Sequence, residues 1–189
     1  ILLIFFLFYY KRSIKEHYNN IFNCRHNKKI CFGKNPKLKK LMEKELKRTN
    51  TYLRSKGLKP FISSGTILGY VREGDFLRND DDISLGLLSS KNCCSIVEKF
   101  FKKNGYKMKR YTFKIRGIER VGQYTFWKSK NGYTLEFDIE IYYHDPINNK
   151  YVMTGFWKPM TFYPFDRFNL SPIKFKNNNI FIPSNPKKF

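Results

Sequence analysis

The sequence predicts an α+β fold, a sheet flanked by helices, on three observations. Apolar residues recur at helical spacing within residues 36–56 and 92–104. From residue 106 onwards the pattern changes to β-favouring runs separated by turns. Between the helical segments, residues 61–86 carry strand, helix and strand signals in close succession. With 41% hydrophobic residues among 189, the chain can bury a core, which excludes a disordered protein.

The net charge of +22 is carried mostly by lysines scattered along the chain. Such a distribution predicts affinity for anions but does not define a nucleic-acid groove. Because no nucleic-acid recognition motif accompanies the charge, we expect no specific nucleic-acid partner. A compositional bias towards Lys and Asn is the simpler explanation, and a polyanion-binding protein remains the alternative.

Residues 1–10 are an unbroken apolar run, followed at once by Lys11 and Arg12. Ten helical residues rise only about 15 Å, half of a bilayer core. We interpret the run as the remnant of a transmembrane or signal-anchor helix. A cleaved secretory segment and a buried strand are the alternatives. A membrane anchor or a cleaved secretory segment would place the rest of the chain in a secretory lumen. The basic residues Lys11 and Arg12 favour the opposite orientation.

Residues 11–35 are polar and basic and are predicted to form a stem. Cys24 and Cys31 bracket a short loop within it. This spacing suits a disulfide bond in an oxidising compartment, and free thiols are the equal alternative.

A helix is predicted over residues 36–56, with Pro36 at its start and Gly57 at its end. No internal boundary is evident after it, so residues 36–189 are predicted to form one domain, with truncation at its carboxyl end left open.

A strand over residues 60–64 is predicted to turn through Gly65 into a helix over 65–73. Backbone N–H groups and the helix dipole make such a turn an anion site, to which the hydroxyls of Ser64 and Thr66 contribute. We therefore predict that Ser64, Gly65 and Thr66 bind phosphate. Arg72 is a further candidate contact to phosphate or to nearby acids, and a surface salt bridge is its alternative role.

Three consecutive aspartates, Asp80 to Asp82, stand out in so basic a chain. In a strand predicted over 79–88, alternation places Asp80 and Asp82 on one face and Asp81 on the other. Neighbouring carboxylates repel one another, and a hard cation such as Mg²⁺ or Mn²⁺ relieves the repulsion. An acidic surface loop screened by water is the alternative.

Strands are predicted over residues 106–115, 118–128 and 133–143, with turns at 129–132 and 177–179. In the third strand Glu136, Asp138 and Glu140 share one face. We predict that Asp138 joins Asp80 and Asp82 around the metal. A solvent-facing strand surface is the alternative, favoured for Glu136 and Glu140.

The segment 65–86, GTILGYVREGDFLRNDDDISLG, resembles a motif of the LicD/fukutin family of phosphotransferases, which have a nucleotidyltransferase fold. The family pattern is Gly-Thr-x-Leu-Gly-x-x-Arg, followed by Trp-Asp-x-Asp-x-Asp-hydrophobic-Gly. Weaker matches follow in the expected order, at residues 135–140, 162–165, 173–175 and 181–186. Two positions depart from the pattern: Asn79 replaces the tryptophan and Ser84 replaces the third aspartate.

This resemblance implies a nucleotidyltransferase-like mixed sheet and transfer of ribitol phosphate or phosphocholine from a CDP-linked donor to a glycan hydroxyl. Asp80, Asp82 and Asp138 would be the catalytic metal ligands. The acceptor would be a glycan or glycoprotein, reached from the membrane of the Golgi or endoplasmic reticulum with the domain in the lumen. Because serine is a poor ligand beside a carboxylate, Ser84 also suits a degenerate member that binds sugar nucleotide or glycan without turnover.

Overall fold

A computed structural model describes residues 31–154 and 163–186 and shows a mixed α+β fold with helices flanking a sheet. A 3-10 turn at Phe32–Lys34 precedes helix α1. The helices are α1 (Pro36–Ser55), α2 (Ser64–Glu73) and α3 (Cys93–Lys103). The strands are β1 (Phe61–Ile62), β2 (Asp82–Leu88), β3 (Lys107–Ile115), β4 (Ile118–Lys130), β5 (Tyr133–Asp145), β6 (Lys150–Met153), β7 (Tyr163–Asp166), β8 (Leu170–Phe175) and β9 (Asn178–Pro183).

The described strands form one mixed sheet in the order β3-β4-β5-β2-β1-β9-β8, from which β6 and β7 extend beside β5. The pairs β2–β5 and β1–β9 are parallel, and the other pairs are antiparallel. In the central parallel pair, Ser84 lies opposite Asp138 and Asp82 lies opposite Glu136. The two acidic segments singled out in the sequence are therefore neighbours in the sheet.

The two faces of β2 and β5 differ in chemistry. Alternate residues such as Ile83, Leu85 and Ile139 are fully buried and join the core with Leu46 of α1 and Phe101 of α3. The intervening residues of both strands are mostly polar and point to the other face. Packing of the apolar face against the helices thus fixes the register and gathers the polar side chains on one side of the sheet.

Several strands differ from the predicted bounds. Strand β2 begins at Asp82 instead of residue 79, because the Asp80 N–H donates to Leu77 O and closes a turn there. The predicted turn at 129–132 shortens to Asn131 and Gly132, both at positive φ. The last hairpin turns at Lys176 and Asn177, with φ of 49° and 57°, instead of across 177–179. Two-residue turns with positive φ match the twist of the flanking strands.

Some predictions concern residues outside the described part of the chain. The apolar run 1–10, most of the stem and Cys24 lie there. Cys31 is described; it is buried and disulfide-bonded. No helix in residues 31–154 or 163–186 combines the length and the hydropathy needed to cross a membrane.

Candidate active site

The loop of residues 74–81, here called the acidic loop, connects α2 to β2 and, with the first residue of β2, brings three carboxylates together. Gly74 ends α2 in the left-handed conformation at φ 63°, where glycine carries no steric penalty. The acids follow as Asp80, Asp81 and Asp82, and one carboxylate oxygen of each lies within 4.8 Å of the others. The turn of the loop thus converts a run of acids into a cluster of neighbouring oxygen atoms.

Gly65, in the first turn of α2, lies directly against the Asp80 carboxylate. A Cβ atom at this position would occupy the space of Asp80 Oδ2. Only glycine therefore permits the close approach of the helix to the acid. The structure brings the predicted Gly65 turn and Asp80 together, while phosphate binding at Gly65 stays a prediction.

Asp138 is held firmly on β5 beside this cluster. Its Oδ2 accepts a hydrogen bond from Gln123 Nε2 at 2.8 Å, and its Oδ1 accepts one from Thr125 Oγ1 at 2.6 Å. The side chain is only 9% exposed, and that of Glu140 is 4% exposed. A solvent-facing strand surface is therefore the wrong explanation for both acids. A metal-binding role of Asp138 stays a prediction.

Ser84, at the position of the third family aspartate, is buried between the neighbouring acids. Its Oγ donates to Asp82 Oδ2 at 3.4 Å, and its backbone N–H donates to Thr66 Oγ1 at 2.8 Å. Thr66 is itself buried, so its hydroxyl fastens α2 to β2. The phosphate contact predicted for Thr66 stays a prediction that this hydrogen bond does not support.

The electrostatics of the cluster centre on Asp82. Burial raises the pKa of the Asp82 carboxyl well above its ordinary value, and the negative charges of Asp80 and Asp138 raise it further. A bound cation reverses this effect, because it favours the ionised form of each acid. Carboxylate oxygens are the donors that Mg²⁺ and Mn²⁺ prefer, so Asp80, Asp81 and Asp82 fit such an ion.

Sequence alternation misassigned Asp81. It placed Asp81 on the opposite face, but β2 begins only at Asp82, so strand alternation does not apply before that residue. The Asp81 carboxylate belongs to the cluster instead. Asp81 is therefore an additional candidate ligand beside Asp80 and Asp82.

Glu140 is a second candidate site residue, for which the sequence favoured a solvent-facing position. It accepts hydrogen bonds from the hydroxyls of Ser64 and Tyr142, the latter at 2.9 Å. Burial raises the pKa of the Glu140 carboxyl, against the opposing effect of the Ser64 and Tyr142 hydroxyls. Ser64 has a strained φ of 42°, and its hydroxyl contacts this acid, so phosphate binding there stays a prediction. The shared strand face with Asp138 was the signal that pointed to Glu140.

Arg72 lies on the exposed side of α2, near its end. Within the described residues it forms no ion pair with a carboxylate, neither in the acidic loop nor elsewhere. The surface salt bridge considered for it is therefore not observed there, and a phosphate contact stays a prediction.

Two comparisons with known proteins bear on the family of this chain. A comparison with curated proteins finds no similar sequence. The family model described as LicD/FKTN/FKRP, nucleotidyltransferase domain, matches residues 57–185, more than half of the chain. The match spans α2, the acidic loop and β5, and it confirms the resemblance drawn from the sequence motifs. The chain therefore belongs to the LicD/FKTN/FKRP family, a family of transferases.

Proposed function

We propose that the protein is a metal-dependent phosphotransferase. It would move a phospho-alcohol, of the ribitol phosphate or phosphocholine type, from a CDP-linked donor to a hydroxyl of a glycan or glycoprotein. CMP would be the leaving group, and the acceptor hydroxyl would lose its proton. Membership of a transferase family supports the reaction class.

The main support for this proposal is that the acidic loop packs against the first turn of α2. Carboxylate oxygens of Asp80, Asp81 and Asp82 lie within 4.8 Å of one another, and Asp80 packs against Gly65. The first-turn N–H groups of a helix have no acceptor within the helix, so they are available to an anion. A diphosphate needs both a cation and such donors, and this place offers sites for both.

In this proposal Asp80, Asp81 and Asp82 hold Mg²⁺ or Mn²⁺. The ion supplies charge neutralisation for the diphosphate and the departing CMP. The N–H groups at Gly65 would orient the phosphate oxygens. Phosphoryl transfer needs alignment and charge neutralisation more than covalent help, so rigid placement of these groups is the main contribution of the protein.

Asp138 would complete the metal site or receive the proton of the acceptor hydroxyl. Hydrogen bonds from Gln123 and Thr125 fix the orientation of the carboxylate. A base must lie within hydrogen-bond reach of the proton that it accepts, and a fixed orientation favours such placement.

We further propose that the domain works in the lumen of the Golgi or endoplasmic reticulum, attached to the membrane through its N-terminal segment. The disulfide bond of Cys31 supports this location, because disulfides persist in oxidising compartments. A tagged full chain expressed in cells would test it. Protection of the tag from protease in sealed microsomes is expected, and digestion of the tag would contradict a lumenal domain.

The experiment for the activity compares Asp82→Ala with Glu119→Ala. Glu119 is an exposed acid at the start of β4, outside the candidate site. CMP release from CDP-ribitol and CDP-choline is measured with Mn²⁺ and with a chelator, in the presence of glycan acceptors. We expect metal-dependent release by the parent and by Glu119→Ala, and none by Asp82→Ala. Equal turnover in all three proteins would contradict the assignment.

The buried Ser84 favours one other function, a degenerate member that binds its ligand without turnover. That protein would bind a cytidine diphosphate compound in calorimetry and release no CMP with any acceptor. A protein that binds heparin with a steep salt dependence, and no cytidine nucleotide, would instead be a polyanion binder.

A further inference from the structure

We propose that residues 31–35, here called the strap, position Asp80 for metal binding. The strap precedes α1 and lies outside the family match at 57–185. The proposal rests on the proposed function, because it assigns a role towards the metal that the acidic loop would hold. The proposal goes beyond the proposed function, because the strap itself contains none of the candidate metal ligands.

The strap bonds directly to the backbone of the acidic loop. The Phe32 N–H donates to Asp80 O at 2.8 Å, and the Gly33 N–H donates to Arg78 O at 2.8 Å. The Asp80 N–H in turn donates to Leu77 O at 3.0 Å. Both backbone polar groups of Asp80 are thereby fixed, one by the strap and one by the loop, beside the side chain that faces Gly65.

Packing reinforces these hydrogen bonds. The Phe32 ring lies 4.9 Å from the ring of Phe76 in the acidic loop, and both side chains are 3% exposed. Phe76 packs edge-on against Phe175, with ring centroids 5.2 Å apart. Phe76 of the acidic loop is therefore packed between a ring of the strap and a ring of β8.

Gly33 permits the close approach of the two segments. A Cβ atom there would lie 2.8 Å from Arg78 O and still closer to the Arg78 side chain. The side chain can move away, but the backbone oxygen belongs to the loop, so any larger residue pushes the loop outwards. A side chain at Gly33 would therefore disturb the contact between the strap and the acidic loop.

The strap begins at a disulfide-bonded cysteine and leads directly into α1. Cys31, at one end, is disulfide-bonded. At the other end the Asn35 side chain caps α1, because its Oδ1 accepts from the Leu38 N–H at 3.0 Å. The first turn of α1 then reaches the loop again through the ion pair of Lys39 with Asp75. The strap and α1 therefore contact the acidic loop at separate points, the strap at Arg78 and Asp80 and the helix at Asp75.

The strap is tested with Gly33→Ala and a matched control, Gly57→Ala. Gly57 has a φ of 76° at the end of α1, where a Cβ atom meets nothing within 4 Å. The control therefore strains the backbone and lowers thermal stability without touching the acidic loop. Amide hydrogen exchange of peptides covering 31–35 and 76–82 is measured without metal, and Mn²⁺ affinity is measured by calorimetry.

For Gly33→Ala we expect faster exchange in both peptides and a loss of about 10-fold in Mn²⁺ affinity, the size typical of changes that disturb ligand orientation. For Gly57→Ala we expect parental exchange in these peptides and parental affinity despite a lower Tm. Parental exchange in Gly33→Ala would overturn the proposal. So would a loss of affinity that Gly57→Ala shares.

Two further outcomes are separated by design. A parent protein that binds no Mn²⁺ would overturn the proposed function, and the exchange data would still decide whether the strap holds the loop. If Gly33→Ala fails to fold, Phe32→Leu replaces it, since this change keeps the backbone hydrogen bonds and removes the ring contact with Phe76. A parental exchange rate at 76–82 in Phe32→Leu would then count against the strap.

Discussion

Two acids in this molecule, the buried Glu45 and the half-buried Asp82, have opposite surroundings. Glu45 on α1 is 3% exposed and accepts from Lys130 Nζ at 2.9 Å, Lys128 Nζ at 3.1 Å and the Tyr106 hydroxyl at 3.2 Å. Asp82 accepts from Ser84 and is surrounded by other aspartates.

Their pKa values respond accordingly. Burial alone would raise the pKa of Glu45, but the hydrogen bonds and charges of the two lysines outweigh it, and the pKa lies below its ordinary value. For Asp82, burial and the charges of Asp80 and Asp138 act in the same direction, and the pKa is raised. Two lysines neutralise Glu45, which we call the structural acid, whereas the charges that dominate at Asp82 are those of Asp80 and Asp138. This difference is what we expect where the counter-charge comes from a bound ion.

Asp82→Asn tests the assignment of Asp82 to metal binding. The change removes one charge at constant shape, so Mn²⁺ affinity should fall by at least about 100-fold, beyond the range of indirect effects. The free energy of unfolding without metal should stay the same or rise, because repulsion among the acids decreases. Calorimetry and urea unfolding measure the two quantities. Unchanged affinity would remove Asp82 from the site.

Glu45→Gln tests the contribution of Glu45 to the stability of the fold. The substitution leaves Lys128 and Lys130 near a neutral amide and should lower the free energy of unfolding by about 2 kcal/mol, less than for a fully buried pair because both lysines reach water. Urea unfolding checks the value, and Mn²⁺ affinity should not change. A loss of metal affinity at Glu45 would contradict the separation of the two roles.

Ser84→Asp tests whether Ser84 limits metal affinity, because it adds a carboxylate where the family pattern has one. We expect Mn²⁺ affinity to rise by about 10-fold, since ligand charge tunes such sites. The metal-free protein should unfold more easily, owing to added repulsion. Ser171→Asp, on exposed β8, adds the same charge elsewhere and should change neither quantity. If both variants behave alike in calorimetry, Ser84 does not limit the site.

The pH dependence of stability should reveal the structural acid. Because the folded-state pKa of Glu45 lies below its ordinary value of 4.5, its contribution is complete above pH 4.5 and is lost as the pH falls through the folded-state pKa. The difference in unfolding free energy between the parent and Glu45→Gln should therefore shrink in acid. Urea titrations at a series of pH values measure it, and a constant difference would contradict the pairing.

Local signals predicted much of the fold. Pro36, the glycines and the hydrophobic periodicity located the three helices and most strands, because these signals act within one or two turns of chain. The bounds of β2 were missed because the turn at Asp80 depends on a backbone hydrogen bond to Leu77, which no side chain announces. That same error misplaced Asp81.

The sequence predicted Asp80, Asp82 and Asp138 as ligands from strand alternation, which applies to Asp82 on β2 and Asp138 on β5 but not to Asp80, which precedes β2. Glu140 was undervalued because its burial depends on Ser64 and Tyr142, contacts that only the tertiary fold creates. The strap was predicted as a polar stem for a similar reason: it bonds to the acidic loop through backbone groups, which every residue carries.

The short strand β1 makes the assembly of the site depend on late events in folding. Its Phe61 pairs with Gly86 of β2 on one side and with Phe181 of β9 on the other. The β8–β9 turn also carries Lys176, whose ammonium forms an ion pair with Asp75 of the acidic loop. During synthesis the acidic loop leaves the ribosome long before these partners do, and such non-local contacts form slowly. The acidic loop therefore cannot complete its contacts until the β8–β9 hairpin has been synthesised.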